Sequence, residues 1–146
     1  MKSEILGFLM AEAANRFFRM VALAIVFDTV MGVFRAVKER KFNSCVGING
    51  AIRKVAMLVS IVCLSVADKI LVINLIGFIP ADIWGKAGMA APAEIGMAEF
   101  FSILFIAYEV VSILKNMTLA GLPVKKMWGL VKNFLGKYTE ELPDDD

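Results

Sequence analysis

The stretch from Phe27 to Asp68 reads FDTVMGVFRAVKERKFNSCVGINGAIRKVAMLVSIVCLSVAD. An apolar run holding one acid is followed by a basic segment and then by a second apolar run. The basic segment sets Arg35, Lys38, Arg40, Lys41, Arg53 and Lys54 against the single acid Glu39. Such a segment, clamped between two hydrophobic runs of membrane length, reads as a cytoplasmic turn between two transmembrane helices. Apolar residues make up 59% of the 146 and charged residues 21%. With a mean hydropathy of +0.72, that is more greasy surface than a soluble domain of this size can hide.

The same composition excludes several classes of function. Histidine is absent, which removes the commonest general base and zinc ligand. No arrangement of nucleophile, base and oxyanion donors can be assembled, so an enzyme is not expected, and neither a metal nor any other cofactor is implied. The two cysteines, Cys45 and Cys63, fall on opposite sides of a membrane boundary and are not expected to pair. A net charge of +2, with the basic residues beside apolar runs, gives no stripe for a phosphate backbone; nucleic acid is not an expected partner. The N-terminus lacks the basic start and cleavage site of a signal peptide, so no processing is expected.

The pattern predicts an all-α integral membrane protein with three transmembrane helices and an amphipathic helix at each end. Residues 1–18 place Ile5, Phe8, Leu9, Ala13 and Phe17 at helical spacing, as in a helix lying at the interface or packed on a neighbouring subunit. The membrane domain covers 19–114, with spans at about 19–35, 53–78 and 95–114. Asp28 sits near the middle of the first span, where an ionisable group is costly. It reads either as a functional acid or as a polar link within a helix pair, and Gly32 offers a small surface for close approach. Lys38 to Gly50 forms the turn, after which Arg53 and Lys54 open the second span at headgroup level. That span either runs as one long helix to Phe78 or ends near Ile73. Its Asp68 and Lys69 read as a partly solvated ion cluster more readily than as a proton relay. Glu99 lies near the outer end of the third span and Glu109 toward its inner end.

Between the second and third spans, PADIWGKAGMAAP reads as an outer loop with Trp84 at the interface. After the third span, Gly121 and Pro123 break the helix. Residues 115–138 then repeat apolar positions at spacings of three and four, with Lys125, Lys126, Lys132 and Lys137 between them. This is a basic amphipathic helix suited to an anionic leaflet, followed by a solvated acidic tail over 139–146. Arg35, Arg53, Lys54, Trp84, Lys125, Lys126 and Trp128 are the expected membrane-surface anchors. Loop charges put the first loop and the C-terminus in the cytoplasm and the N-terminus outside.

Two stretches carry a family resemblance. FDTVMGVFRAVKERKFNSCVGINGAIRK has an acid and a glycine before a basic turn, then Asn-Ser and a glycine followed by a basic pair. YEVVSILKNMTLAGLPVKKMWGLVK closes the third span with Glu and Ser-Ile and places an Asn before a Gly-x-Pro break. In order and spacing these resemble the bacteriophage holin and clostridial toxin-secretion holin family, with Tyr108 and Lys115 standing where members tend to carry Asn and Glu. The resemblance implies a protein that accumulates in the bacterial inner membrane, self-associates and opens lesions through which a peptidoglycan hydrolase or a toxin leaves. Asp28, Gly32, Asp68, Lys69, Glu99, Glu109 and Asn116 are then the candidates for subunit contacts or the pore lining. The alternatives are an antiholin that regulates a pore former, and a small ion-coupled transporter subunit. The second is weakened by the lack of an inverted repeat.

Overall fold

The computed structural model describes residues 15–41, 44–86 and 95–137, together with Ser3, Leu6, Gly7, Met10 and Ala11. Side chains at 44–46 and 81 are excepted. Five helices follow in order: α1 (Arg16–Glu39), α2 (Ser44–Leu71), α3 (Ala81–Lys86), α4 (Met97–Leu119) and α5 (Lys125–Leu135). Among the described residues there is no strand. Three of the helices, α1, α2 and α4, are long and apolar enough to cross a membrane. The helix expected over 1–18 falls mainly outside the described residues, and the acidic tail entirely so.

Each span differs from its sequence-based bounds for a local reason. Helix α1 starts at Arg16 because Asn15 caps it, accepting a hydrogen bond from the Phe17 N–H at 2.8 Å. It runs on past Arg35 to a left-handed residue, Arg40 (φ 54°). There the Arg40 N–H donates to the Val37 carbonyl and the Lys41 N–H to that of Ala36, which closes the end. Its 24 residues rise about 36 Å at ~1.5 Å each, where 19–35 alone falls short of the roughly 30 Å hydrocarbon layer.

Helix α2 corrects the expected turn. It begins at Ser44, so Gly47, Asn49 and Gly50 lie inside a helix instead of forming a loop. Open space surrounds both glycines, and each costs about 1 kcal/mol relative to alanine, a small charge on a helix of 28 residues. At the other end α2 stops at Leu71, not at Phe78, and Val72 takes a left-handed conformation (φ 51°). The chain then turns back on Asn74, whose Oδ1 accepts from the N–H groups of Ile76 (3.2 Å) and Ile95 (3.5 Å). The Leu75 N–H donates to the Ile95 carbonyl at 2.8 Å. The segment after α2 is thereby tied to the start of α4.

Helix α4 packs against both α1 and α2, while α1 and α2 meet over a shorter stretch. Lys38, at the end of α1, donates to the Leu119 carbonyl at the end of α4 (3.1 Å), so these two helices run parallel and α2 runs against them. The core is small: Val21, Ile61 and Ala98 are buried, with Phe18, Ile25, Leu58, Leu64, Phe105 and Ile106 packed around them. Ser102 is fully buried and donates to the Ala98 carbonyl at 2.6 Å, leaving α4 slim where it is enclosed. Leu23, Val26, Phe34, Ile52 and Val55 point outward, as lipid-facing side chains should.

Candidate functional site

Midway through the bundle the three spans bring four polar side chains together. Asp28 and Glu109 each stand twelve residues into their helices, about 18 Å along at ~1.5 Å per residue. Asp28 is 5% exposed and Glu109 0%. The Lys54 ammonium lies between them, 2.7 Å from Asp28 Oδ2 and 3.8 Å from Glu109 Oε2. Lys54 also donates to Thr29 Oγ1 at 2.8 Å and to the Ile25 carbonyl at 3.4 Å. From α4, Asn116 Nδ2 donates to the other Asp28 oxygen at 3.0 Å.

The amphipathic pattern alone does not require this cluster, since apolar side chains would span lipid at no such cost. An ionised group at mid-bilayer costs about 2.5–3.5 kcal/mol on insertion scales. Here one lysine answers two carboxylates. Asp28 is satisfied on both oxygens, whereas neither Glu109 oxygen has a hydrogen-bond partner among the described residues. Gly32 lies one turn below Asp28, and a Cβ there would stand 3.7 Å from Asn116 Nδ2. The glycine thus leaves room for the asparagine.

Of the expected pore-lining or contact residues, Asp28, Gly32, Glu109 and Asn116 converge here. Lys54 is a correction. Predicted at headgroup level, it sits ten residues into α2 with its charge inside the bundle, because the two acids on α1 and α4 offer it better ligands than water at that depth. Arg53 is held over the Tyr108 ring, 4.9 Å from its centre, and Arg35 pairs with Glu39 at 3.2 Å. Thr29 and Tyr108 were missed. The available signal was the charge balance: two acids in apolar runs demand a cation, and Arg53 and Lys54 are the first cations on α2.

A second polar cluster lies where α2 ends and α4 begins, and it is a helix cap. Asp68 Oδ1 and Oδ2 accept from the backbone N–H groups of Met97 (2.9 Å) and Ala98 (2.8 Å). Gly96 has no side chain to do this, so the acid on α2 serves as the cap of α4. Glu99 accepts from the Gly96 N–H at 2.9 Å. Of the expected Asp68–Lys69 ion cluster, Asp68 faces the first N–H groups of α4 and Lys69 is exposed. Glu99 is likewise turned back on its own helix start.

The remaining anchors divide. Trp84 is half-buried on α3, and Lys125 and Lys126 are exposed. Trp128, expected on a lipid-facing side, is instead 8% exposed. Helix α5 packs on α4, so its apolar arc is split between protein and surroundings. Among the described residues no group of acids and cysteines is placed to hold a metal.

Comparison with known proteins shows the family. A family model described as the bacteriophage holin family matches residues 5–138. The holin-like protein TcdE of Clostridioides difficile is 46% identical over 131 residues, covering 89% of this chain and 77% of that protein. No solved structure matches. With three apolar spans and a match along nearly its whole length, the chain belongs to the bacteriophage holin family and is a holin-like, membrane-permeabilising protein.

Proposed function

We propose that the protein assembles with copies of itself in the bacterial inner membrane, N-terminus outside and C-terminus in the cytoplasm, and opens lesions wide enough for a folded protein. The cargo is a cell-wall-degrading enzyme or a toxin; the toxin reading leans on the likeness to the clostridial holin-like protein. The observation that carries the proposal is the mid-depth cluster of Asp28, Lys54, Glu109 and Asn116. In one copy the charges are shut between helices, at the cost of leaving Glu109 without a donor. Around an aqueous lumen the same groups would gain water, so an assembled, open state relieves what the closed protomer bears.

The orientation is supported by the basic residues at the α1–α2 turn and along α5, against the sparse charges of the outer loop. Contact with a second copy is supported by the outward side of α2. There Ile48, Ile52, Val55, Val59, Val66 and Ile70 stand at spacings of three, four and seven. Such β-branched side chains lose little rotamer freedom on packing.

Expression in bacteria tests this through membrane potential, entry of dyes of increasing size, and release of a co-expressed cytoplasmic hydrolase. Collapse of the potential followed by release of the hydrolase is expected. An intact potential with the protein abundant in the membrane contradicts the proposal. Delayed lysis in cells that carry another pore former would identify an antiholin instead.

A further inference from the structure

Helix α5 presents an apolar row that is largely exposed. Trp128 is buried, yet Met127, Leu130 and Phe134, at i, i+3 and i+7, are 59%, 73% and 64% exposed. Their flanks are basic. Lys125, Lys126 and Lys137 are exposed, and the sequence has no acid between Glu109 and Glu140. Eleven residues are too few for a helix to persist on its own in water, so α5 depends on what covers it.

The end of α4 fixes where α5 leaves the bundle. Gly121 adopts φ +91°, and a Cβ there would come 2.5 Å from Lys38 Nζ, the ammonium that donates to the Leu119 carbonyl. Only glycine accepts both the left-handed backbone and the lysine so close. This clip joins the end of α1 to the start of α5. Lys38, and with it Arg40 and Lys41, therefore lies at the same end of the bundle as the start of α5.

We propose that α5 is a lipid-docking helix. The row Met127, Leu130 and Phe134 enters the acyl region of the adjoining leaflet, and Lys125, Lys126 and Lys137 bind the phosphates of anionic phospholipid. Charge selects this occupant: a basic rim around an apolar row, with no acid in the sequence between Glu109 and Glu140, matches an anionic interface, where each lysine contributes a factor of roughly five to binding. Trp128 then holds α5 to the protein and not to lipid. The docking is independent of whether the assembled protein forms a pore.

The test uses the full chain in nanodiscs of phosphatidylcholine alone or mixed with phosphatidylglycerol. An environment-sensitive fluorophore is attached at Leu130→Cys, in a background of Cys45→Ser and Cys63→Ser. In the anionic discs, lipids brominated on the acyl chain should quench the label while iodide should not. Lys125→Gln with Lys126→Gln should weaken that protection about fivefold per lysine and leave the fluorescence of labels within the spans unchanged. Free access of iodide in anionic discs overturns the proposal. So does shielding from both quenchers, which would mean that a second copy covers the row, and so does equal docking in phosphatidylcholine alone.

Discussion

The two polar clusters of the bundle use acids in opposite ways. At the outer end, Asp68 places both oxygens on backbone N–H groups that α4 would otherwise leave unpaired. At mid-depth, Asp28 and Glu109 share one lysine, and Glu109 keeps two unanswered oxygens. The Asp68 carboxylate completes a helix end, whereas the two mid-span acids depend on a single shared lysine. Counting partners separates the acids: among the described residues Asp28 and Asp68 each have both oxygens hydrogen-bonded, and Glu109 has neither.

The contrast can be broken most forcefully at Lys54. Lys54→Met leaves two carboxylates facing each other without a cation, and the loss of one partner from a buried pair costs about 3–5 kcal/mol. Denaturation in mixed micelles should register a loss of that size, together with separation of α2 from α1. At the outer end, Asp68→Ala should cost about 1–2 kcal/mol as a lost cap. Gly96→Ala should give much the same loss, because a Cβ there would stand 2.5 Å from Asp68 Oδ2 and push the carboxylate off. The two substitutions together should cost little more than either alone, since both remove one interaction. Asn116→Ala should cost about 1 kcal/mol, the worth of a single hydrogen bond to Asp28. Smallest of all, Arg35→Ala should cost only about 0.3–0.5 kcal/mol, for an i,i+4 pair with Glu39 at the rim.

What the sequence disclosed follows from how local each feature is. Three apolar runs, the Gly-x-Pro break and the basic residues near the first turn are all written within short windows, and the three runs emerge as three long apolar helices with shifted bounds. The early start of α2 was hidden because Gly47, Asn49 and Gly50 have turn composition, while their helical state is set by continuity with the span that follows. The pairing of Lys54 with Asp28, 26 residues apart in sequence, depends on the register of two helices against each other. No periodicity within either helix encodes that register. Asp68 misled for a similar reason: its sequence neighbour is Lys69, but its spatial neighbours are the first N–H groups of α4. Trp128 shows the limit of an amphipathic pattern, which marks an apolar face without saying whether lipid or protein covers it.

The most direct test compares Asp28→Asn with Asp68→Asn at matched amounts in the bacterial inner membrane, timing the loss of membrane potential after induction. Asparagine at 68 can still accept from the α4 N–H groups, whereas asparagine at 28 removes the charge that holds Lys54. A shifted onset or altered oligomer size for Asp28→Asn, with Asp68→Asn behaving as the unsubstituted chain, is the predicted result. Unchanged onset and oligomer size for Asp28→Asn would contradict the functional role of the mid-depth cluster.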